Sequence, residues 1–240
     1  MKRIVGILIA ISLAGCAELS QLPLSQLPNV TSKPAALTND EIIQGLKDAL
    51  RVGAEHSSDI ASRVDGFYKN PQLFIPFPED AIKVKNTLEK IGMTKQVNDF
   101  VLSLNRAAEE AAKSAAPIFI QAIQNMTIQD ALGILKGGDN AATSYLRDKT
   151  YDQLKLKFKP IVAQSINKVE VTKYWSPLVS AYNKTTFLSG NERVNPNLEE
   201  YITERAIDGL FKLIAKEEQS IRKDPAARVT DILKKVFANQ

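Results

Sequence analysis

Residues Gln96–Met126 read QVNDFVLSLNRAAEEAAKSAAPIFIQAIQNM. Val97, Val101, Leu104, Ala108, Ala111, Ala115, Ile118 and Ala122 recur at alternating spacings of four and three, one apolar stripe on an α-helix. The middle of the stripe is alanine, which lets neighbouring helices approach closely. Its ends carry Phe100, Leu104, Ile118 and Phe119, bulk that fills space where neighbours diverge. The pattern predicts a long central helix over about 95–126, kinked at Pro117, as the spine of an all-α, multi-helix bundle without significant sheet.

Outward from this spine, the flanking segments read as further helices. Thr38-Asn39-Asp40-Glu41 is a capping box, predicting a helix to about Val64 with Ile42, Leu46, Leu50 and Ala54 inward, stopped near Asp65-Gly66. Pro78-Glu79-Asp80 opens a helix whose apolar side is Ile82, Val84, Leu88 and Ile91, and Gly92 closes it. Thr94 is the expected cap of the central helix. Thr127 with Asp130 caps a short helix to Lys136. After Gly137-Gly138, Asp139 is placed to cap the next, which carries Ala142, Tyr145 and Leu146. Helices over 150–168, with a kink at Pro160, and over 171–183 follow. After a loop at Ser189-Gly190-Asn191, another helix starts at Asn195-Pro196-Asn197. A last one follows Asp224-Pro225, with Val229, Ile232, Leu233, Val236 and Phe237 inward.

Gly66–Pro78 breaks the helical pattern. Three prolines forbid a regular helix, yet Phe67, Tyr68, Leu73, Phe74, Ile75 and Phe77 are too apolar for a solvated loop. Two structures fit: a strap covering one end of the core, or the aromatic rim of an apolar groove, with Phe67, Tyr68, Phe74, Ile75 and Phe77 as the candidate residues.

The N-terminus reads as an address. Lys2-Arg3 precedes an apolar run, Ile4 to Ala14, about half the ~20 residues that span a bilayer. With Leu13-Ala14-Gly15-Cys16 it resembles a bacterial lipoprotein signal: a signal peptide over 1–15, and Cys16 as the lipidated first residue. Each buried CH₂ adds about 0.8 kcal/mol, so two or three acyl chains anchor stably. Ala17 lacks the Asp that marks inner-membrane retention in such signals, which points to the periplasmic face of the outer membrane. Residues 16–36 hold a repeated Ser-Gln-Leu-Pro, at Ser20–Pro23 and Ser25–Pro28, then Pro34, an extended tether. Residues 37–240 form the expected single helical domain.

Composition narrows the chemistry. One Cys and one His, His56, exclude a disulfide framework within the chain and a zinc site of the Cys/His kind. Removing Lys2 and Arg3 from the 31 basic side chains leaves 29 against 27 acidic, which gives no case for nucleic-acid binding. Between Arg147 and Lys173 seven basic and three acidic residues form a local cationic run, a solvated face or a face toward anionic headgroups. Asn105, Arg106 and Glu109 are the candidate polar site. Asn105 with Glu109 and Arg106 with Glu110 sit one turn apart, as paired rows on a helix face do. No residue set presents a catalytic, metal or cofactor motif. The expected function is that of a non-enzymatic binding module whose partner is a membrane through the lipid, and an envelope protein or apolar ligand. The alternative is a hydrolase-like, carboxylate-dependent enzyme using Glu109.

Several short motifs occur together: Asp65-Gly66-Phe67, Asn70-Pro71, Ile75-Pro76-Phe77-Pro78, Asn105-Arg106-Ala107-Ala108-Glu109 and Met126-Thr127. Gly137-Gly138-Asp139, Asp208-Gly209-Leu210-Phe211 and Ile221-Arg222-Lys223-Asp224-Pro225-Ala226-Ala227-Arg228 complete the set. In this combination the chain from about Leu37 to Phe237 resembles the bacterial domain of unknown function family 4197. The resemblance implies an exported helical domain and carries over no catalytic or binding residue.

Lipidation has a direct test. Cys16→Ser is expected to abolish incorporation of labelled fatty acid and to release the protein from membranes. A Cys16→Ser protein that stays membrane-bound, beside a wild type that never takes up label, overturns the address.

Overall fold

The computed structural model describes residues 38–168, 171–189, 197–228 and 234. The signal peptide, Cys16, the tether, the loop at Gly190-Asn191, the start at Asn195-Pro196 and the expected helix through Val229, Ile232, Leu233, Val236 and Phe237 lie outside them. Among the described residues there are eight α-helices and no strand. They are α1 (Asn39–Ser62), α2 (Ile82–Lys90), α3 (Thr94–Ala112), α4 (Ala115–Gln124), α5 (Ile128–Lys136), α6 (Ala141–Lys168), α7 (Val171–Ser189) and α8 (Leu198–Lys223). The fold is an all-α bundle.

The helices start where side chains can take up orphan amides. Thr38 Oγ1 accepts the Glu41 N–H at 3.2 Å while Glu41 takes the Thr38 N–H at 2.8 Å. Thr127 and Asp130 repeat the box on α5, at 3.2 and 3.0 Å. Asn197 accepts the Glu200 N–H to open α8. Thr94 is not a cap. It is the first residue of α3, and Met93 before it makes no side-chain cap bond.

The spine is α3, and it is shorter than the periodicity implies. The chain leaves the α-helix after Ala112. Lys113 and Ser114 donate to the carbonyls three residues back, at 3.4 and 3.1 Å, and α4 restarts at Ala115. Pro117 is the reason: without an N–H it cannot bond the Lys113 carbonyl, and its ring occupies that space. A break upstream puts the proline in the first turn of α4, where its lost donor costs nothing. One predicted helix is therefore two.

α3 packs against α1, α2, α4, α6, α7 and α8. Ala107, Ala108, Ala111, Ala112 and Ala115 are all fully buried, so the alanine seam is broader than one stripe. Narrow side chains allow this many neighbours around one helix. At the bulky end Phe100 stacks on Trp175 of α7, 4.7 Å between centroids, and meets Phe77 edge-on at 5.2 Å. On the other side Phe119 of α4 meets Phe211 of α8 edge-on at 5.5 Å.

Three further expectations are corrected. α6 is one helix of 28 residues, Ala141–Lys168, joining the expected helix through Ala142, Tyr145 and Leu146 to the one expected over 150–168, with Pro160 inside it. Ile82 and Ile91 are exposed, because α2 buries only Val84 and Leu88 and begins after a 3₁₀ turn at Glu79–Ala81. Asp139 does not cap α6. It pairs with Lys223 at 2.5 Å, and the amides of Ala142 and Thr143 go to Glu218 of α8.

The cationic run on α6 is largely neutralised by α8. Lys155 pairs with Glu200 and Glu204, Lys159 with Glu199 and Glu200, and Arg147 with Asp208. Lys155 holds the Glu200 carboxyl below its usual range. These pairs zip two long helices together and leave little net charge there for a headgroup.

The seam predicts a mutational response. Ala111→Leu forces an isobutyl group between α3 and its neighbours and is expected to cost ~1–3 kcal/mol. A urea midpoint unchanged by Ala111→Leu means that α3 is not the buried spine.

Candidate functional site

The stretch between α1 and α2 lies across α3. Its Phe67, Leu73, Ile75 and Phe77 are buried, and Phe74 is 41% exposed. Tyr68 is half-buried with its ring 6.1 Å from that of Phe74. Inward and outward side chains alternate over 73–77, which fits extended chain lying on a core. The segment is a strap. Four of its five candidate residues bear on the bundle beneath, and Phe74 alone turns to solvent.

A strap without a sheet partner leaves buried backbone groups to satisfy. α3 supplies the partners. Asn105 is fully buried; its Oδ1 accepts the Ile75 N–H at 2.9 Å and its Nδ2 donates to the Ile75 carbonyl at 2.8 Å. Glu109, 4% exposed, accepts the N–H groups of Phe67 and Tyr68 on Oε1 at 3.1 and 3.2 Å. One helical turn separates the two side chains, so a single face of α3 holds both ends of the strap.

Arg106 completes the arrangement. It donates to Glu109 Oε2 at 2.6 Å and to Asp65 Oδ1 at 2.7 Å, and its guanidinium lies 5.8 Å from the Tyr68 ring centroid. Asp65 also pairs with Lys69 at 2.8 Å. It sits at φ 68°, a left-handed turn that an Asp tolerates better than most residues. Gly66 follows because a Cβ there would lie 2.3 Å from the Ile60 carbonyl oxygen. Lys69, then Arg106, hold the Asp65 carboxyl below its usual range.

Asn105, Arg106 and Glu109 are thus brought together, but not as exposed rows. Arg106 pairs with Glu109 rather than Glu110, and Glu110 pairs with Lys113 and Lys168. Both Glu109 oxygens are engaged within the fold. What they do chemically is balance one guanidinium and accept two backbone amides, on a side chain that is 4% exposed.

A second buried carboxylate behaves the same way. Glu218 of α8 accepts the Ala142 and Thr143 amides at 2.9 and 2.8 Å and the Thr143 hydroxyl at 2.8 Å. It thereby supplies an anion to the N-terminus of α6. Arg222 pairs with it at 2.9 Å and also donates to the Ile134 carbonyl at the end of α5. Arg228 reaches back to the carbonyls of Ile221 and Arg222 as α8 ends. His56 Nδ1 lies 3.0 Å from Glu217 Oε1 on a half-exposed surface. Among the described residues no group of three or more His, Cys, Asp or Glu could hold a metal ion, and no helix is long and apolar enough to cross a membrane.

The feature that sequence reasoning missed is a surface groove of about 620 Å³ between α6 and α8, closed on one side by the strap. α8 presents Arg205, Asp208, Gly209 and Lys212 to it, and α6 presents Ser144 and Arg147. Leu73 and Phe74 of the strap form its wall. Gly209 lies where the strap presses in: a Cβ would meet the Phe67 ring at 3.0 Å and Leu73 at 3.3 Å. A mid-helix glycine beside Asp208 was the available signal, since such a glycine often marks a close approach. The groove itself needs three segments far apart in sequence.

Two predictions follow the strap's chemistry. Asn105→Ala leaves the Ile75 N–H and carbonyl buried without partners and is expected to cost about 2–4 kcal/mol, read by urea unfolding; no loss means that the strap does not depend on this clamp. Asp65 gives a pH window. A carboxyl depressed in the fold contributes stability that is complete above its unfolded value, near ~3.9, and is lost as pH falls through the lower folded value. Asp65→Asn is therefore expected to flatten the fall of stability below about pH 4, and an unaltered acid limb contradicts this.

No curated protein and no solved structure matches the chain. The family model described as a protein of unknown function, DUF4197, matches residues 36–238, which include the strap, its α3 clamp and the groove. On that match the chain belongs to the DUF4197 family.

Proposed function

We propose that the chain is a lipid-anchored envelope protein that works by binding a protein partner rather than by catalysis. The observation that carries the binding role is the commitment of the buried carboxylates. Glu109 and Glu218 are each fully engaged in holding backbone amides and an arginine. A general acid or base needs a carboxyl within reach of a substrate proton, and these two are turned inward. Among the open surface concavities, the groove between α6, α8 and the strap mixes polar and apolar lining, of the kind that receives another chain. The membrane role rests on Lys2-Arg3, the apolar run and Leu13-Ala14-Gly15-Cys16. Lipid through Cys16 would hold the protein at the periplasmic face of the outer membrane, with residues 17–36 as a spacer.

Crosslinking in intact envelopes, followed by native mass spectrometry of the purified protein, tests this. A stoichiometric protein partner is expected. The binding role fails if the protein is recovered alone while a hydrolytic activity in the same preparation disappears in a folded Glu109→Gln variant.

A further inference from the structure

We propose that the groove between α6, α8 and the strap docks an acidic peptide segment of the partner, one carboxylate meeting Arg147 and Lys212 and a neighbouring apolar side chain lying on Phe74. The proposal rests on the binding role above and names the partner's chemistry.

Charge is the first argument. The groove is lined by Arg147, Arg205 and Lys212 against one acid, Asp208. Arg205 is paired with Glu79 at 3.1 Å, and Asp208 with Arg147 at 2.6 Å. Among the described residues Lys212 meets only the Gln72 carbonyl, at 3.4 Å, and no carboxylate. The lining is therefore net positive, complementary to an acid.

Pre-organisation is the second. Arg147 has five N–H donors, and the structure gives one of them to Asp208. Its guanidinium lies 4.8 Å from the centroid of the Phe211 ring and 5.3 Å from that of Tyr151. An arginine held between a carboxylate and two rings loses little further freedom on binding, and its fork suits a carboxylate. Asp208 and Lys212 are one turn apart on α8, and Lys212 lines the same groove as this held guanidinium.

Shape decides between a peptide and a lipid. An acyl chain needs a deep apolar cavity. The apolar cavity between α1 and α8, lined by Leu46, Leu50 and Ile214, has about 30 Å³, room for a water or two. The groove is open and half polar, with exposed Phe74 at its lip and Ser144 on its wall. That suits an extended peptide with alternating acidic and apolar side chains.

The test is a display library of random short peptides selected on the full-length protein in detergent micelles. Enriched sequences are expected to place Asp or Glu next to an aromatic or aliphatic residue. Lys212→Glu is the deciding variant, because Lys212 is exposed and its hydrogen bond to the Gln72 carbonyl is a long surface contact. It is expected to weaken the enriched peptides about tenfold or more at an unchanged urea midpoint. Replacing the peptide's acids by amides is expected to do the same, and Phe74→Ala to weaken binding by a smaller factor. Enriched peptides without acids, no enrichment at all, or equal affinity for wild type and Lys212→Glu overturns the proposal. Peptides that bind regardless of Lys212 would leave the binding role standing and remove the groove from it. Displacement of the peptides by inorganic phosphate or octanoate at matching affinity would make the groove a general anion site, and the peptide proposal would fall.

Discussion

Two polar side chains on the buried face of α3, Asn105 and Glu109, hold the strap in place. The strap has no sheet to pair with, and its Phe67, Ile75 and Phe77 are buried all the same. Burying apolar side chains on irregular backbone strands the amides and carbonyls that travel with them. Asn105 answers with an acceptor and a donor to one residue, and Glu109 with one oxygen for two amides. Because the acceptor on Glu109 is charged, a counter-charge must come with it, and Arg106 supplies it while tying in Asp65. The order of dependence runs from the core outward: apolar burial, then backbone satisfaction, then charge balance.

The same logic recurs at the far side of the bundle. Glu218 takes the first amides of α6, Arg222 balances Glu218 and closes the last turn of α5. Helix ends inside a packed bundle cannot rely on water, so a neighbouring helix provides the cap. Glu109 and Glu218 each touch backbone as well as an opposite charge. A buried pair gains little over apolar packing of the same shape, but removing one partner leaves the other charge buried and uncompensated. Glu109 and Glu218 are thereby committed to holding the fold, and on the surface the strap, α6 and α8 meet in the groove.

The alanine seam makes the arrangement geometrically feasible. Six helices can crowd α3 only if its side chains are short where the neighbours cross. Where they splay, Phe100, Phe77 and Trp175 fill the gap with aromatic contacts. Gly209 plays the matching part on α8: its missing Cβ admits the Phe67 ring, so strap and helix meet without an intervening side chain.

The amino-acid sequence by itself determined the helical class, most helix starts and the central place of the alanine stripe. Those are local properties: period, capping boxes at Thr38 and Thr127, and prolines that stop helices are written in neighbouring residues. It also marked Gly66–Pro78 as a non-helical apolar stretch, with a strap and a groove rim both left open. Tertiary structure alone decided what Asn105, Arg106 and Glu109 do. Their spacing on α3 fits an exposed salt-bridged row as well as a buried clamp, and the difference lies in whether Phe67 and Ile75 arrive 30 to 42 positions away. It likewise decided that α6 is continuous from Ala141 through Pro160, that Glu218 rather than Asp139 serves the start of α6, and that Arg147, Asp208 and Lys212 share a groove. Charges and hydroxyls carry no label for their partner in sequence. The partner is chosen by which backbone groups packing strands nearby, and that is known only once the helices are in place.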